Sequence, residues 1–134
     1  MSQENVELIQ AFIEAYNAGE IDATMDLCAV DVEAFPDASV FPETRPLVGR
    51  DEFGAFLKET RSAWVAARAV TKEALNADPD RVLVRTDWGG EGISSGVETY
   101  SNLSAIYTIR DGQISRADYF FDHDKALKAA GLEE

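Results

Sequence analysis

Apolar residues in the first half of the chain recur every three or four positions, which is the spacing of one helix face. The first run predicts a helix capped by Ser2 that ends near Gly19, a residue suited to terminate a helix in the left-handed conformation. Asp22 is placed to cap a second, short helix, and Asp51 to cap a third. The apolar faces of the first and third helices are Val6, Ile9, Phe12, Ile13 and Tyr16, and Phe53, Phe56, Leu57, Thr60 and Trp64.

Between the second and third helices the pattern changes. Residues 32–35 predict a short strand, which Pro36 ends because proline cannot donate to a sheet ladder. Residues 36–50 contain Pro36, Pro42, Pro46 and Gly49 and predict a long loop. Loops of this length are often functional.

The second half of the chain has the alternating pattern of strands. Turn signals at residues 78–80 and 110–112 separate them, and the Gly- and Ser-rich residues 89–96 predict a hairpin connection. Asp124 is placed to cap a short final helix that ends near Gly131. The predicted strands are residues 69–75, 82–88, 98–109 and 114–121.

Helices followed by an antiparallel meander predict an α+β fold. We expect a cone in which a curved mixed or antiparallel sheet wraps around three N-terminal helices, with a short C-terminal helix. The length predicts a single domain over residues 1–134. A cone of this kind encloses one apolar pocket between the sheet and the helices.

Composition narrows the possible partners. The net charge of −13 disfavours nucleic-acid binding, because an acidic surface repels phosphates. The N-terminal residues lack the features of a signal peptide, and no apolar run approaches a membrane span. The one cysteine, Cys28, permits no internal disulfide. We therefore expect a cytoplasmic protein that binds neither nucleic acid nor membrane.

Several short segments together resemble a known superfamily. The chain is similar to the NTF2-like superfamily, and within it to the SnoaL-like group, which includes polyketide cyclases and lies close to ketosteroid isomerase. The resemblance implies a cone fold and a homodimer. The segments that carry it are residues 5–8, 16–23, 31–33, 49–51, 80–82, 95–98, 110–114, 126–127 and 131–132.

The ketosteroid isomerase residues are replaced by apolar ones at the matching positions. That enzyme uses a carboxylate base, a tyrosine and a protonated aspartic acid, and the resemblance aligns these with Phe35, Phe12 and Ala105. None of the three can transfer a proton, so that activity is not expected. A shift in the alignment would make Glu33 or Asp37 the carboxylate to consider.

Two other chemistries of the superfamily also lack their residues. The aspartate of the His-x-Asp pattern of the polyketide cyclases matches Tyr119, and Asp118 has the opposite strand parity and should face outward. The epoxide hydrolases place a carboxylate, an arginine and a second carboxylate around a water. Arg85 with Glu33 or Glu91 could imitate this group, but their spacing does not support it.

The candidate catalytic residues are Tyr119 and His123. A phenol in the pocket can donate a hydrogen bond to a carbonyl or act as an acid; the alternative is a core tyrosine with a satisfied hydroxyl. Histidine is the side chain best suited to acid/base work near neutral pH, which makes His123, the only histidine, a candidate; the alternative is a solvated turn or cap. No ligand cluster surrounds it, so we expect no metal, and nothing in the sequence predicts a cofactor.

Strand parity and the resemblance together predict the walls of the pocket. Two functions stay open: an enzyme that acts on a small hydrophobic molecule by isomerase-, cyclase- or hydrolase-type acid/base chemistry, and a non-catalytic ligand-binding or dimerisation module. The predicted pocket residues, besides Tyr119, are Phe12, Tyr16, Phe35, Trp64, Trp88, Leu103, Ala105, Tyr107 and Phe121.

Overall fold

A computed structural model describes residues 2–38 and 45–132, which form four helices and six strands. The helices lie in the order predicted, three before the meander and one after it. The elements are α1 (Ser2–Asn17), α2 (Ile21–Asp26), β1 (Cys28–Phe35), β2 (Leu47–Val48), α3 (Gly49–Arg61), β3 (Arg68–Asp78), β4 (Arg81–Glu91), β5 (Glu98–Arg110), β6 (Gln113–Phe120) and α4 (His123–Ala129).

The strands of the described residues form one sheet in the order β2-β1-β6-β5-β4-β3. The pairing of β1 with β6 is parallel, whereas β3, β4, β5 and β6 form an antiparallel meander. The sheet is therefore mixed, and the predicted α+β fold with a curved sheet, helices and a short C-terminal helix is confirmed.

The main core lies between the concave face of the sheet and helices α1 and α3. Phe53 of α3 is fully buried and its ring lies 6.2 Å from that of Phe12 on α1. Phe12 in turn meets Tyr107 of β5 edge-on at 5.5 Å. The sheet and both helices thus share one layer of aromatic rings, the kind of contact that contributes beyond the area that it buries.

Two polar side chains fasten the helices to the sheet. The amide of Asn17, at the end of α1, accepts from the backbone N–H of Ala69 at 2.8 Å and donates to its carbonyl at 2.9 Å. Arg50, in the first turn of α3, donates twice to the Cys28 carbonyl, at 2.7 and 3.1 Å. Both residues belong to segments on which the family resemblance rests, and their role here is structural.

The predicted turns have the backbone that their residues favour. Asp111 and Gly112 have φ values of 53° and 74°, the pair of positive angles that a tight hairpin between β5 and β6 requires. Gly19 and Gly131, each just past a helix, have φ values of 78° and 75°. The predicted ends of the first and last helices are confirmed.

The predicted caps of three helices are wrong. Helix α2 begins at Ile21, one residue before Asp22, because the chain turns at Gly19 and Glu20 takes the cap position. Helix α3 begins at Gly49, so Asp51 lies inside its first turn. The carboxylate of Asp122, rather than that of Asp124, accepts from the first backbone N–H groups of α4.

Strand boundaries also differ from the prediction. Strand β1 begins at Cys28, four residues earlier than expected, with an irregularity in its register against β6. Strand β4 continues through Gly89 and Gly90, so the hairpin connection is shorter than predicted. The predicted loop contains strand β2, and residues 39–44 of that loop, with Pro42, lie outside the described residues.

The convex face of the sheet carries a second, smaller core. Helix α4 packs there, and Ala126 and Ala130 cover Leu83 of β4 and Ile106 of β5. These strand residues have the parity opposite to the concave face. The C-terminal helix therefore closes the outer side of the sheet instead of adding to the pocket.

The cap of α4 gives a first prediction. Asp122→Ala removes the side-chain acceptor of two backbone N–H groups, so the free energy of unfolding should fall by about 1 kcal/mol. Asp124→Ala leaves that acceptor in place and should lower the free energy of unfolding by less. Urea unfolding measures both values, and a larger loss for Asp124→Ala would contradict the cap assignment.

Candidate functional site

An apolar cavity of about 70 Å³ opens between α1, α3 and the concave face of β4, β5 and β6. Its lining residues are Phe12, Ile13, Tyr16, Pro36, Asp37, Phe56, Leu57, Thr60, Ala69, Val84, Thr86, Trp88, Leu103, Ala105, Tyr107, Tyr119 and Phe121.

The register of β5 and β6 positions the floor of the cavity. Ala105 lies opposite Tyr119, and Tyr107 lies opposite Ala117. Each alanine therefore faces a tyrosine, and the small side chain leaves room beside the large one. Because alternate residues of a strand share one face, both phenols point to the concave side.

The phenols of Tyr107 and Tyr119 form a pair with their rings 6.1 Å apart and nearly perpendicular. Burial is the main cause that raises the pKa of each above its ordinary value of 10.0. Desolvation disfavours the phenolate. Both groups are therefore neutral hydrogen-bond donors at any physiological pH.

Asp37 supplies the carboxylate of the cavity wall. It follows Pro36, where strand β1 has ended, and its Oδ2 accepts a hydrogen bond of 2.7 Å from the backbone N–H of Phe121. That contact ties the segment after β1 to the segment after β6. Among the lining residues that the structure describes, Asp37 is the only one with an acidic side chain.

The other polar groups of the wall are engaged within the protein. The hydroxyl of Thr60 donates to the Leu57 carbonyl, and that of Thr86 donates to the Leu103 carbonyl. These two groups therefore contribute methyl surface to the cavity. Hydrogen-bonding capacity toward a ligand is concentrated in the tyrosines and in Asp37.

The structure brings most of the sequence-predicted pocket residues to this cavity. They come from α1, β4, β5, β6 and the residue that follows β6. The predicted residues that line it are Phe12, Tyr16, Trp88, Leu103, Ala105, Tyr107, Tyr119 and Phe121.

Phe35 and Trp64 are not part of the lining. In the second half of β1 the buried residues are Val32 and Ala34, so the alternating parity turns Phe35 to the other face, where the Arg116 guanidinium lies 4.2 Å from its ring centre. Trp64 lies beyond the end of α3 and packs its ring behind Trp88 at 4.6 Å.

His123 lies on the opposite side of the sheet. Its Nδ1 is 2.7 Å from the hydroxyl of Ser104, which is fully buried on the convex face under α4. Ser104 and Ala105 are neighbours on β5 and face opposite ways, so the sheet separates His123 from the cavity. Asp118 also faces outward, as predicted, and pairs with Arg116 at 2.9 Å.

Asp37 is not among the predicted site residues, although a shifted alignment made it a carboxylate to consider. The available signal was a carboxylate next to the proline that ends a strand at the rim of the predicted cone. Val84 and Thr86 were also left out. They share strand parity with Trp88, and that alternation could have placed them on the same wall.

The remaining reactive or ligating groups do not form a second site in the described part of the chain. Burial raises the pKa of the Cys28 thiol to about 12, although the Arg50 charge opposes the shift. A thiol so protected is a weak nucleophile.

Within residues 2–38 and 45–132, no group of three or more His, Cys, Asp or Glu residues could hold a metal ion. None of the helices there has the length and apolar character needed to cross a bilayer.

The fold and its cavity define a cone-shaped α+β protein of the ketosteroid isomerase-like type. The model of the SnoaL-like domain matches residues 9–117. The chain therefore belongs to the SnoaL-like domain family, as its motifs indicated. A comparison with curated proteins gives no significant match.

Solved structures share the fold at low sequence identity. A hypothetical protein with a ketosteroid isomerase-like fold from Catenulispora acidiphila DSM 44928, in complex with trimethylamine, has a TM-score of 0.75 and 17% identity over 94% of this chain and 93% of that chain. A putative polyketide cyclase from Xanthomonas campestris pv. campestris has a TM-score of 0.72 and 22% identity over 96% and 97%. TerC, co-crystallised with polyporic acid, has a TM-score of 0.76 and 19% identity over 96% and 98%.

The burial of Tyr119 predicts a dependence of stability on alkaline pH. Below pH 10 the phenol is neutral in both the folded and the unfolded chain, so its contribution to the free energy of unfolding is constant. Above pH 10 the unfolded chain ionises first, because the folded-state pKa is raised, and the free energy of unfolding falls by on the order of 1.4 kcal/mol per pH unit for such a group. Tyr119→Phe should give a shallower fall in urea unfolding between pH 8 and pH 11. Equal slopes for the two proteins would contradict the burial of this phenol.

Proposed function

We propose that the cavity binds a small hydrophobic molecule that carries a carbonyl oxygen, and that the protein transfers a proton next to that carbonyl. The observation that carries the proposal is the composition of one wall: a pair of neutral phenols, one buried and one partly buried, and one carboxylate in a largely apolar cavity. A cleft with a few convergent polar groups is the usual form of such a site.

Tyr119 is the proposed acid, or hydrogen-bond donor. Tyr119 lines the cavity and its phenol is neutral, so its O–H can be donated to an oxygen that binds there. A donor held in place in a poorly solvated site stabilises developing negative charge more strongly than water does.

Asp37 is the proposed base. Its carboxylate takes a proton from the carbon next to the carbonyl, the C–H electron pair moves into a new C=C bond, and the carbonyl oxygen gains the charge as an enolate. Return of the proton to the same or another carbon completes an exchange or an isomerisation without an oxidant or a reductant. The hydrogen bond from Phe121 to Asp37 holds the carboxylate at the wall where this transfer takes place.

The size of the cavity favours a ligand with one ring. One water needs roughly 10–15 Å³ of cavity volume, so 70 Å³ corresponds to about five or six waters. A compound of about ten heavy atoms fits this space. Acetophenone, which has one ring and one ketone, is the simplest probe.

A non-catalytic binding module is the second candidate. The apolar residues Phe12 and Ala105 favour it, because they stand where the catalytic relatives are expected to carry polar groups and both line the cavity. In that case the phenols orient the ligand and Asp37 is part of the wall. The family resemblance further supports a homodimer, and sedimentation velocity tests the assembly.

Exchange of the acetophenone methyl protons in D₂O, followed by NMR, separates the two candidates. The wild-type protein should accelerate this exchange, Asp37→Asn should lower the catalysed rate by about 10²–10⁴-fold, and Tyr119→Phe by about 10²–10³-fold. Asp26→Asn, an exposed change on α2, is the matched control. Binding without accelerated exchange would support the binding module and overturn the enzymatic proposal.

A further inference from the structure

Trp88 and Tyr16 form a hydrogen bond across the wall of the cavity. The indole Nε1–H of Trp88 on β4 donates to the hydroxyl of Tyr16 on α1 at 2.8 Å. Both side chains line the cavity. The two residues are 72 positions apart in sequence, so the bond also joins the first helix to the centre of the meander.

The chemistry of the two groups fixes the direction of this bond. An indole N–H can only donate, whereas a phenol oxygen can accept and its O–H can donate. The Tyr16 oxygen is therefore the acceptor, and its own proton points elsewhere. Among the residues that the structure describes, Trp88 is the hydrogen-bond partner of this hydroxyl, which leaves the proton of Tyr16 for the cavity.

Both rings are held in position by other contacts. The Arg61 guanidinium lies 5.0 Å from the centre of the Tyr16 ring and also donates to the Tyr16 carbonyl. Trp88 packs edge-on against Trp64 at 4.6 Å and lies 6.2 Å from Phe121. A donor fixed in this way needs little reorganisation when a ligand arrives.

Tyr16 lines the same cavity as Tyr107 and Tyr119. Phe12, one helical turn before Tyr16 on α1, meets the ring of Tyr107 edge-on at 5.5 Å. A ligand that fills the cavity therefore contacts both Tyr16 and the phenols of the cavity floor.

We propose that Trp88 is a positioning residue, whose indole N–H fixes the Tyr16 hydroxyl as a second donor to the carbonyl oxygen of the ligand. The ligand is then a small apolar molecule with one oxygen that accepts two hydrogen bonds, as the oxygen of a ketone or its enolate does. The inference rests on the proposed function in one respect, that a carbonyl compound occupies the cavity. It does not depend on catalysis.

The direction of the bond can be tested in the free protein. The chain has two tryptophans and so two indole N–H signals in a ¹H–¹⁵N spectrum. Tyr16→Phe should shift the Trp88 signal and speed its exchange with water, and it should leave the Trp64 signal in place. Tyr100→Phe, which removes an exposed phenol on the outer surface, is the matched control. An unchanged Trp88 signal in Tyr16→Phe would overturn the proposal.

The role in binding can be tested with acetophenone and with ethylbenzene, which has a similar shape and no oxygen. Tyr16→Phe should weaken acetophenone binding by about five- to tenfold and change ethylbenzene binding by less than about twofold. Trp88→Phe should likewise lower the affinity for acetophenone relative to the affinity for ethylbenzene. The double variant should resemble Tyr16→Phe, because Trp88 acts through Tyr16.

The carbonyl stretching frequency of bound acetophenone gives an independent signature. Loss of one donor in Tyr16→Phe should move the band to higher wavenumber, and Trp88→Phe should move or broaden it in the same direction. If Trp88→Phe weakens the binding of both probes equally and leaves the carbonyl band unmoved, Trp88 is only a wall residue. That result would overturn the positioning role and leave the proposed function standing. Failure of the wild-type protein to bind either probe would overturn the proposed function as well.

Discussion

Along β5 and β6, side chains alternate between the concave face of the sheet, which lines the cavity, and the convex face, which α4 covers. The register that sets Ala105 opposite Tyr119 depends on this alternation. A slip of one residue would turn Ser104 and Asp118 into the cavity and Tyr119 out to the surface. The tight turn at Asp111 and Gly112 sets the first pairs of β5 and β6, and an irregularity between Thr108 and Ile109 then shifts the register by one residue. The backbone at these two places therefore decides which side chains of β6 face the cavity.

Desolvation determines what the cavity can do once the register is set. The phenols of Tyr107 and Tyr119 stay neutral because their charged forms would be poorly solvated, and neutral phenols are donors. The wall offers few competing acceptors, since the threonine hydroxyls are bonded to backbone carbonyls. Asp37 is held at the rim by the backbone at Phe121. The arrangement joins donors and one carboxylate in a largely apolar space.

The sequence predicted the architecture well because its signals are local. Helical spacing marked α1 and α3, alternation marked the meander, and glycines with positive φ marked the turns. The capping predictions failed because adjacent residues compete for the same role: Asp122 and Asp124 can each accept from a helix N-terminus, and the path of the chain after β6 decides between them.

The site was harder to predict because it depends on where strands end. Parity placed Tyr107 and Tyr119 on one face without tertiary information. Phe35 and Asp37 are only two positions apart, and β1 must stop between them for the carboxylate to reach the cavity. Nothing in the local pattern distinguishes a histidine at the rim from one on the convex face, so the place of His123 required the packing of α4 against β5.

A crystal structure of the protein soaked with acetophenone would show directly how the cavity holds a ketone. We expect one molecule in the cavity, with its carbonyl oxygen within hydrogen-bond distance of the hydroxyls of Tyr119 and Tyr16 and its methyl group toward Asp37. A molecule bound with the oxygen directed away from the phenols, or bound only outside the cavity, would contradict this expectation.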